Sequence, residues 1–208
     1  MACQTAWNAN DCYRNANFAI FRVLIPRVAT GLPPSVSWSE AAYAAAYVDY
    51  VNKVVFQPLG LPVLFCKPTD AQPALSYKSA TANPLDFSAV QPGDAWGDMT
   101  LICGSQGWFL SALQLARFAQ GLFQTAKILP QAALQRMKER GFGMNRIDHG
   151  GGLESWSHGG FHPAEMNKGE INTLVVSFNN GVSIGLVINS KFNGNYVEET
   201  FNAVKTVR

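Results

Sequence analysis

Charge is what this sequence has least of. Only 14% of its 208 residues are Asp, Glu, Lys or Arg, against about 25% in an average soluble domain. The 16 basic and 14 acidic residues nearly cancel, leaving a formal charge of +2. No basic cluster forms the footprint that nucleic-acid binding requires. No stretch approaches about 18 uninterrupted apolar residues, so no membrane-crossing helix is encoded. Met1-Ala2-Cys3-Gln4 lacks the basic and apolar regions of a signal peptide. Cys-x-x-Cys is missing, and with it the zinc knuckle and the thioredoxin-type motif. Internal repeats and low-complexity tracts are absent as well. What is abundant is apolar surface: 48% hydrophobic and 12% aromatic residues exclude a disordered chain and predict one globular domain.

The cysteines are Cys3, Cys12, Cys66 and Cys103. Two disulfides would fit, with Cys3–Cys12 and Cys66–Cys103 closing the shortest loops, but spacing alone does not choose among the connectivities. Four buried thiols fit equally well, because free cysteine packs like a small hydrophobe. Disulfides would imply an oxidising compartment.

Residues 12–141 read as mainly helical. Phe18, Phe21, Leu24, Ile25 and Val28 recur at helical spacing and predict a buried face, bent or shortened at Pro26 and ended at Gly31. A second helix is predicted from Ser39 to Phe56, with Tyr43, Tyr47, Val51 and Val54 or Val55 inward. A long loop, 62–107, follows, bracketed by two cysteines. Such loops are functional or crosslinked. Ser111 and Gln114 form a capping box for a third helix, with Leu113, Ala116, Leu122 and Phe123 on its apolar face and Phe118 near its edge. Pro130 opens a fourth helix and Gly141 ends it.

Residues 142–208 change texture. Strands are predicted at Phe142–Arg146, Leu153–His158, Thr173–Phe178 and Val182–Asn189. Asn180-Gly181 gives a type I′ hairpin signal. A closing helix near Tyr196–Val207 carries Val197, Phe201 and Val204 on one face. Helices, then an antiparallel meander, then a helix define an α+β fold. The last strand is apolar enough to need neighbours on both sides, and only one is evident.

Among candidate site residues, Tyr13-x-Asn15 reads alone as a core tyrosine beside a capping asparagine. His158-Gly159-Gly160 reads alone as a strand with a turn or bulge. His149, His158 and His162 lack the carboxylate spacing of a zinc motif, and Gly159-Gly160 opposes a helix that would align the last two.

In this order, however, the segments resemble the serine β-lactamase and penicillin-binding-protein family of class C β-lactamases, DD-peptidases and esterases. Tyr13-Arg14-Asn15 is similar to its Tyr-x-Asn motif, and Phe56-Gln57-Pro58-Leu59-Gly60-Leu61 to its "PLGM" segment. Gly104-Ser105-Gln106-Gly107-Trp108, with the Leu110–Phe118 run after it, resembles the glycine-rich turn and following helix. Phe142-Gly143-Met144 stands where the family has a "GLGW" strand. His158-Gly159-Gly160 resembles Lys-Thr-Gly or His-x-Gly.

The resemblance implies a β-lactamase/transpeptidase-like α+β domain. Tyr13 would move the proton of a serine nucleophile, and Asn15 would bond the acyl side chain or the activating lysine. His158 would line the leaving-group side. Gly159 and Gly160 would let substrate approach the strand, and Phe161 N–H would supply one oxyanion-hole donor. It also implies a small-molecule or peptidoglycan-like substrate, no cofactor, and a periplasmic or extracellular parent protein. Two departures matter. No serine is followed three residues later by lysine, so Ser-x-x-Lys is missing, together with the N-terminal strands that would pair with the last strand. Arg14 stands where a small residue is usual. The expectations are therefore a portion of a serine hydrolase, inactive by itself, or a pseudoenzyme or binding module that keeps the cleft. A half-domain completed by another chain is a third, and self-association could cover the open sheet edge.

Overall fold

The computed structural model describes residues 15–69, 73–165 and 168–206. Tyr13, Arg14, Cys3 and Cys12 lie outside them. The architecture is mixed α+β: an antiparallel sheet with helices on both faces and a helical region alongside.

The helical region begins with α1 (Asn15–Ala19) and α2 (Phe21–Thr30). The helix runs through Pro26, which is buried, and stops at Gly31 in the left-handed conformation. Its inward stripe is rotated from the expected one. Arg22 bonds Glu40, while Arg27 reaches Tyr43 and the carbonyls of Pro33 and Val36. These arginines turn Ile25 and Pro26 inward and leave Phe21, Leu24 and Val28 exposed. In α3 (Glu40–Val51), Ser39 caps the N-terminus and Tyr43 and Tyr47 are buried. The predicted helix to Phe56 continues as a π-helical turn, Asn52–Phe56, and a 3₁₀ turn, Gln57–Leu59. Val55 packs inward and Val54 is exposed. Buried Asn52 fixes the returning chain by bonding both the N–H and the C=O of Leu64 at 2.8 Å.

The long loop holds a small ribbon, β1 (Leu75–Ser76) with β2 (Asp94–Ala95). A disulfide between buried Cys66 and Cys103 pins it, across a separation of 37 residues. Closing a loop of that size contributes roughly 3–4 kcal/mol by the chain-entropy account. Trp108 packs between Tyr47 and Phe56.

The predicted capping box opens α4 (Ala112–Phe123), with both reciprocal bonds of Ser111 and Gln114 present. Leu113, expected inward, faces outward and is 63% exposed, while Ala119, outside the expected stripe, is buried. Pro130 precedes α5 (Gln131–Arg140), which Gly141 ends. The next strand starts later than predicted, because Gly141 and Gly143 both adopt positive φ and keep residues 142–144 turned. Extended chain begins at β3 (Asn145–Asp148) and continues through β4 (Glu154–His162), β5 (Ile171–Phe178) and β6 (Ser183–Ile188), paired antiparallel in that order. The β5–β6 hairpin forms, though not with a type I′ turn. Among the described non-glycine residues only Ala126 has positive φ, so Asn180 does not adopt the conformation type I′ demands. Gly181 N–H bonds Phe178 C=O, and Phe178 N–H bonds Val182 C=O. This is a three-residue loop in which Gly181 alone is left-handed.

Helix α6 (Tyr196–Lys205) covers one sheet face through Phe201 and Val204 against Leu153, Leu174, Val176 and Phe178. The other face carries α4 and α5, with Leu122, Phe123 and Leu134 against Trp156. Lys138 lies over the Trp156 ring at 4.2 Å. The apolar character of β6 comes from cover on both faces rather than from a second strand. At its far end Tyr77 N–H bonds Asn189 C=O and Asn189 bonds Leu75 C=O, so the loop covers that end of the edge. Among the described residues, none of the helices is long and apolar enough to cross a membrane.

Gly185 sets the distance between β6 and α4. A Cβ there would overlap the Ala112 carbonyl and stand 2.7 Å from Ala116 N. Gly185→Ala is expected to cost about 1–3 kcal/mol by overpacking. Urea denaturation measures it, and an unchanged midpoint would refute this account of the contact.

Candidate active site

Antiparallel pairing decides where the backbone of β4 points. Asn179 N–H bonds Glu154 C=O on the β5 side, and the β4–β5 register is unbroken from Ser155 to His162. Alternation then directs the N–H and C=O of Trp156, His158, Gly160 and His162 toward β5. Those of Ser155, Ser157, Gly159 and Phe161 point the other way. Strand β3 receives the first two, but its pairing stops at Asn145 opposite Ser157. Beyond that point no further strand pairs with this edge among the described residues. Gly159 and Phe161 therefore present main-chain donors and acceptors to an open edge, and the Phe161 side chain is 61% exposed.

Side chains alternate across the same strand. His158, Gly160 and His162 share the face of Trp156, on the α4 side, while Gly159 faces α6. His158 Nδ1 donates to Gly143 C=O at 2.7 Å. A proton held there leaves Nε2 of a neutral imidazole as the acceptor. The ring of Phe18 in α1 meets His158 edge-on at 6.0 Å. Gly104 lets the glycine-rich turn approach α1, since a Cβ would stand 2.9 Å from the carbonyl oxygens of Phe18 and Ala19. The structure thus brings α1, with Asn15 exposed at its first position, to the face of β4 that carries His158. Tyr13 precedes α1 outside the described residues.

The two glycines have different reasons to be glycine. A Cβ on Gly160 would overlap the Thr173 hydroxyl across the strand pair. At Gly159 it would make only ordinary contacts, 3.6 Å from Thr173 O and 3.9 Å from the Tyr196 hydroxyl. At the far end of the edge His162 packs on Trp96, ring centroids 3.9 Å apart, with Lys168 5.0 Å from the Trp96 ring. Trp96 belongs to the long loop and Tyr196 to α6. The sequence signals the presence of these aromatics but not their arrival here.

The three histidines do not converge. His149 lies on the α6 face, hydrogen-bonded to Ser155 at 2.8 Å and packed against Phe178 and Phe201. No group of three metal-ligating side chains occurs among the described residues. No family model, curated protein or solved structure matches the chain.

Two measurements check this geometry. In amide hydrogen exchange, Gly159 and Phe161 should exchange at least about tenfold faster than Gly160 and His162. Equal protection of all four would place a partner on the open edge. The second concerns His149, whose imidazole is held below its usual value by burial and then by the charge of Lys205, with Asp148 opposing. The unfolded state then binds the proton more readily. His149 therefore contributes stability that is present above about pH 6.5 and lost as pH falls below it. His149→Gln should flatten the decline in urea midpoint between about pH 7 and pH 5.

Proposed function

We propose that this chain is part of a serine hydrolase of the β-lactamase/DD-peptidase type, whose acyl-enzyme chemistry acts on an amide, β-lactam or ester. One observation carries the reading. The His158-Gly159-Gly160 segment lies on a strand end whose Gly159 and Phe161 main-chain groups face an open edge, with α1 packed beside it through Phe18. In such a site Phe161 N–H stabilises the oxyanion that forms when the scissile carbonyl is attacked. Tyr13 would serve proton transfer and Asn15, at the start of α1, acyl positioning, and His158 would line the leaving-group side. The α+β sheet with helices on both faces is compatible with the β-lactamase/transpeptidase architecture.

The chemistry still needs a nucleophile. No serine in these 208 residues has lysine three positions on, so on this reading the Ser-x-x-Lys helix would come from polypeptide outside them. Nucleophile and base act as a unit, and without them the covalent route closes. The same absence favours a second reading, a non-catalytic module that binds acyl or cell-wall-like ligands in the cleft.

Intact-mass analysis after exposure to a fluorescent penicillin and a fluorophosphonate should find the folded chain unlabelled. A stoichiometric adduct would mean that another side chain has become the nucleophile. The cleft itself is tested by Phe161→Pro, which removes the N–H that faces the open edge and is tolerated there, with Phe161→Ala as the control for loss of the ring. Titration of the folded variant with N-acetyl-dialanine amide should lose the Gly159 amide shift that the parent chain and Phe161→Ala give. Retention of that shift in the proline variant would overturn the oxyanion-hole assignment.

A further inference from the structure

The open end of β4 has the phenol of Tyr196 beside it. Tyr196 opens α6 and packs against the sheet core of Leu174, Val176 and Phe178. The ring of Phe192 meets it edge-on at 6.2 Å. From this anchored base its hydroxyl ends over β4, 3.9 Å from where a Gly159 Cβ would lie. Gly159 is exposed and sends its N–H and C=O to the open edge. A ligand chain paired with that edge runs about 4.8 Å from the strand. Its groups opposite Gly159 then fall beside the Tyr196 hydroxyl.

Burial, together with a buried carboxylate, keeps this hydroxyl a donor. Glu170 is 8% exposed, on the same sheet face as Asn172. Asn172 Nδ2 donates to it at 3.1 Å, and Lys191 Nζ lies 3.4 Å from its other oxygen. Burial, and then the charge of Glu170, hold the Tyr196 phenol above its usual range. The group stays protonated at neutral pH and acts as a donor, not as a base.

We propose that Tyr196 is a ligand-binding residue of this cleft, donating its hydroxyl proton to the carbonyl oxygen of the ligand opposite Gly159, so that the open edge and the phenol read one acyl group together. The inference rests on the cleft reading above and names a further residue of that site. Its test is the affinity of N-acetyl-dialanine amide, read from the Gly159 and Phe161 amide shifts. Tyr196→Phe keeps the ring packing and should bind the amide at least about fivefold more weakly than the parent chain, the worth of one neutral hydrogen bond. An unchanged affinity in Tyr196→Phe overturns the role of Tyr196 and leaves the cleft standing. If the probe moves neither Gly159 nor Phe161 in the parent chain, the cleft reading fails and this inference fails with it.

Discussion

The unbroken pairing of β4 with β5 is the constraint on which the rest of the structure depends. A one-residue slip would turn Trp156, His158 and His162 from the α4 side of the sheet to the α6 side and reverse every backbone group. Two things hold the register. Leu174, Val176 and Phe178 must reach the core beneath α6, and Ser177 must meet Gln124 of the α4 C-cap, which bonds its hydroxyl at 2.8 Å. With the register set, the outward direction of Gly159 and Phe161 follows from alternation alone. The openness of that edge follows from a difference in length, since β3 ends opposite Ser157 and β4 continues to His162.

Local signals in the sequence were read well where a few adjacent residues decide the outcome. Ser111 with Gln114, Ser39, Gly31 and Gly141 mark helix ends by chemistry that needs no tertiary partner. Signals failed where a distant partner decides. The stripe Phe21, Leu24 and Val28 looks buried until Arg22 and Arg27 find Glu40 and Tyr43 and rotate the helix. The late start of β3 depends on two left-handed glycines whose conformation the apolar pattern of Phe142-Gly143-Met144 hides. Of the candidate site, His158 is legible as a strand residue, whereas Gly159-Gly160 reads as a turn or bulge and instead carries β4 on, in unbroken register, to His162. The open edge is not legible, because it depends on where a different strand stops. Tyr196 reaches Gly159 from 37 positions along the chain, and no short-range pattern reports such an approach.

The long loop is ordered by few but strong devices. Cys66–Cys103 ties its ends, Asn52 clamps Leu64 near its start, and Tyr77 joins the sheet beyond β6. Gly169 allows the last of these, since a Cβ there would overlap the Tyr77 backbone. Between these anchors the chain is positioned closely enough for Trp96 to cover His162 at the end of β4. The crosslink considered for this segment is present, and its two tryptophans take different places, Trp108 beside the buried disulfide and Trp96 on His162.

The glycine pair separates structure from chemistry most clearly. Gly160 is required by Thr173 whatever binds nearby, so its presence says nothing about a ligand. Gly159 has room for a methyl group, adopts no glycine-only conformation, and still presents bare backbone to a stretch of β4 that, among the described residues, no strand pairs on that side. A side chain at that position would stand between an edge-bound ligand and the Tyr196 hydroxyl. Glycine there makes sense if the backbone and the phenol are read together by the same partner. Recognition of that kind uses few charges. It suits a chain in which charge is scarce and the donors beside the open end of β4 are main-chain amides and a phenol.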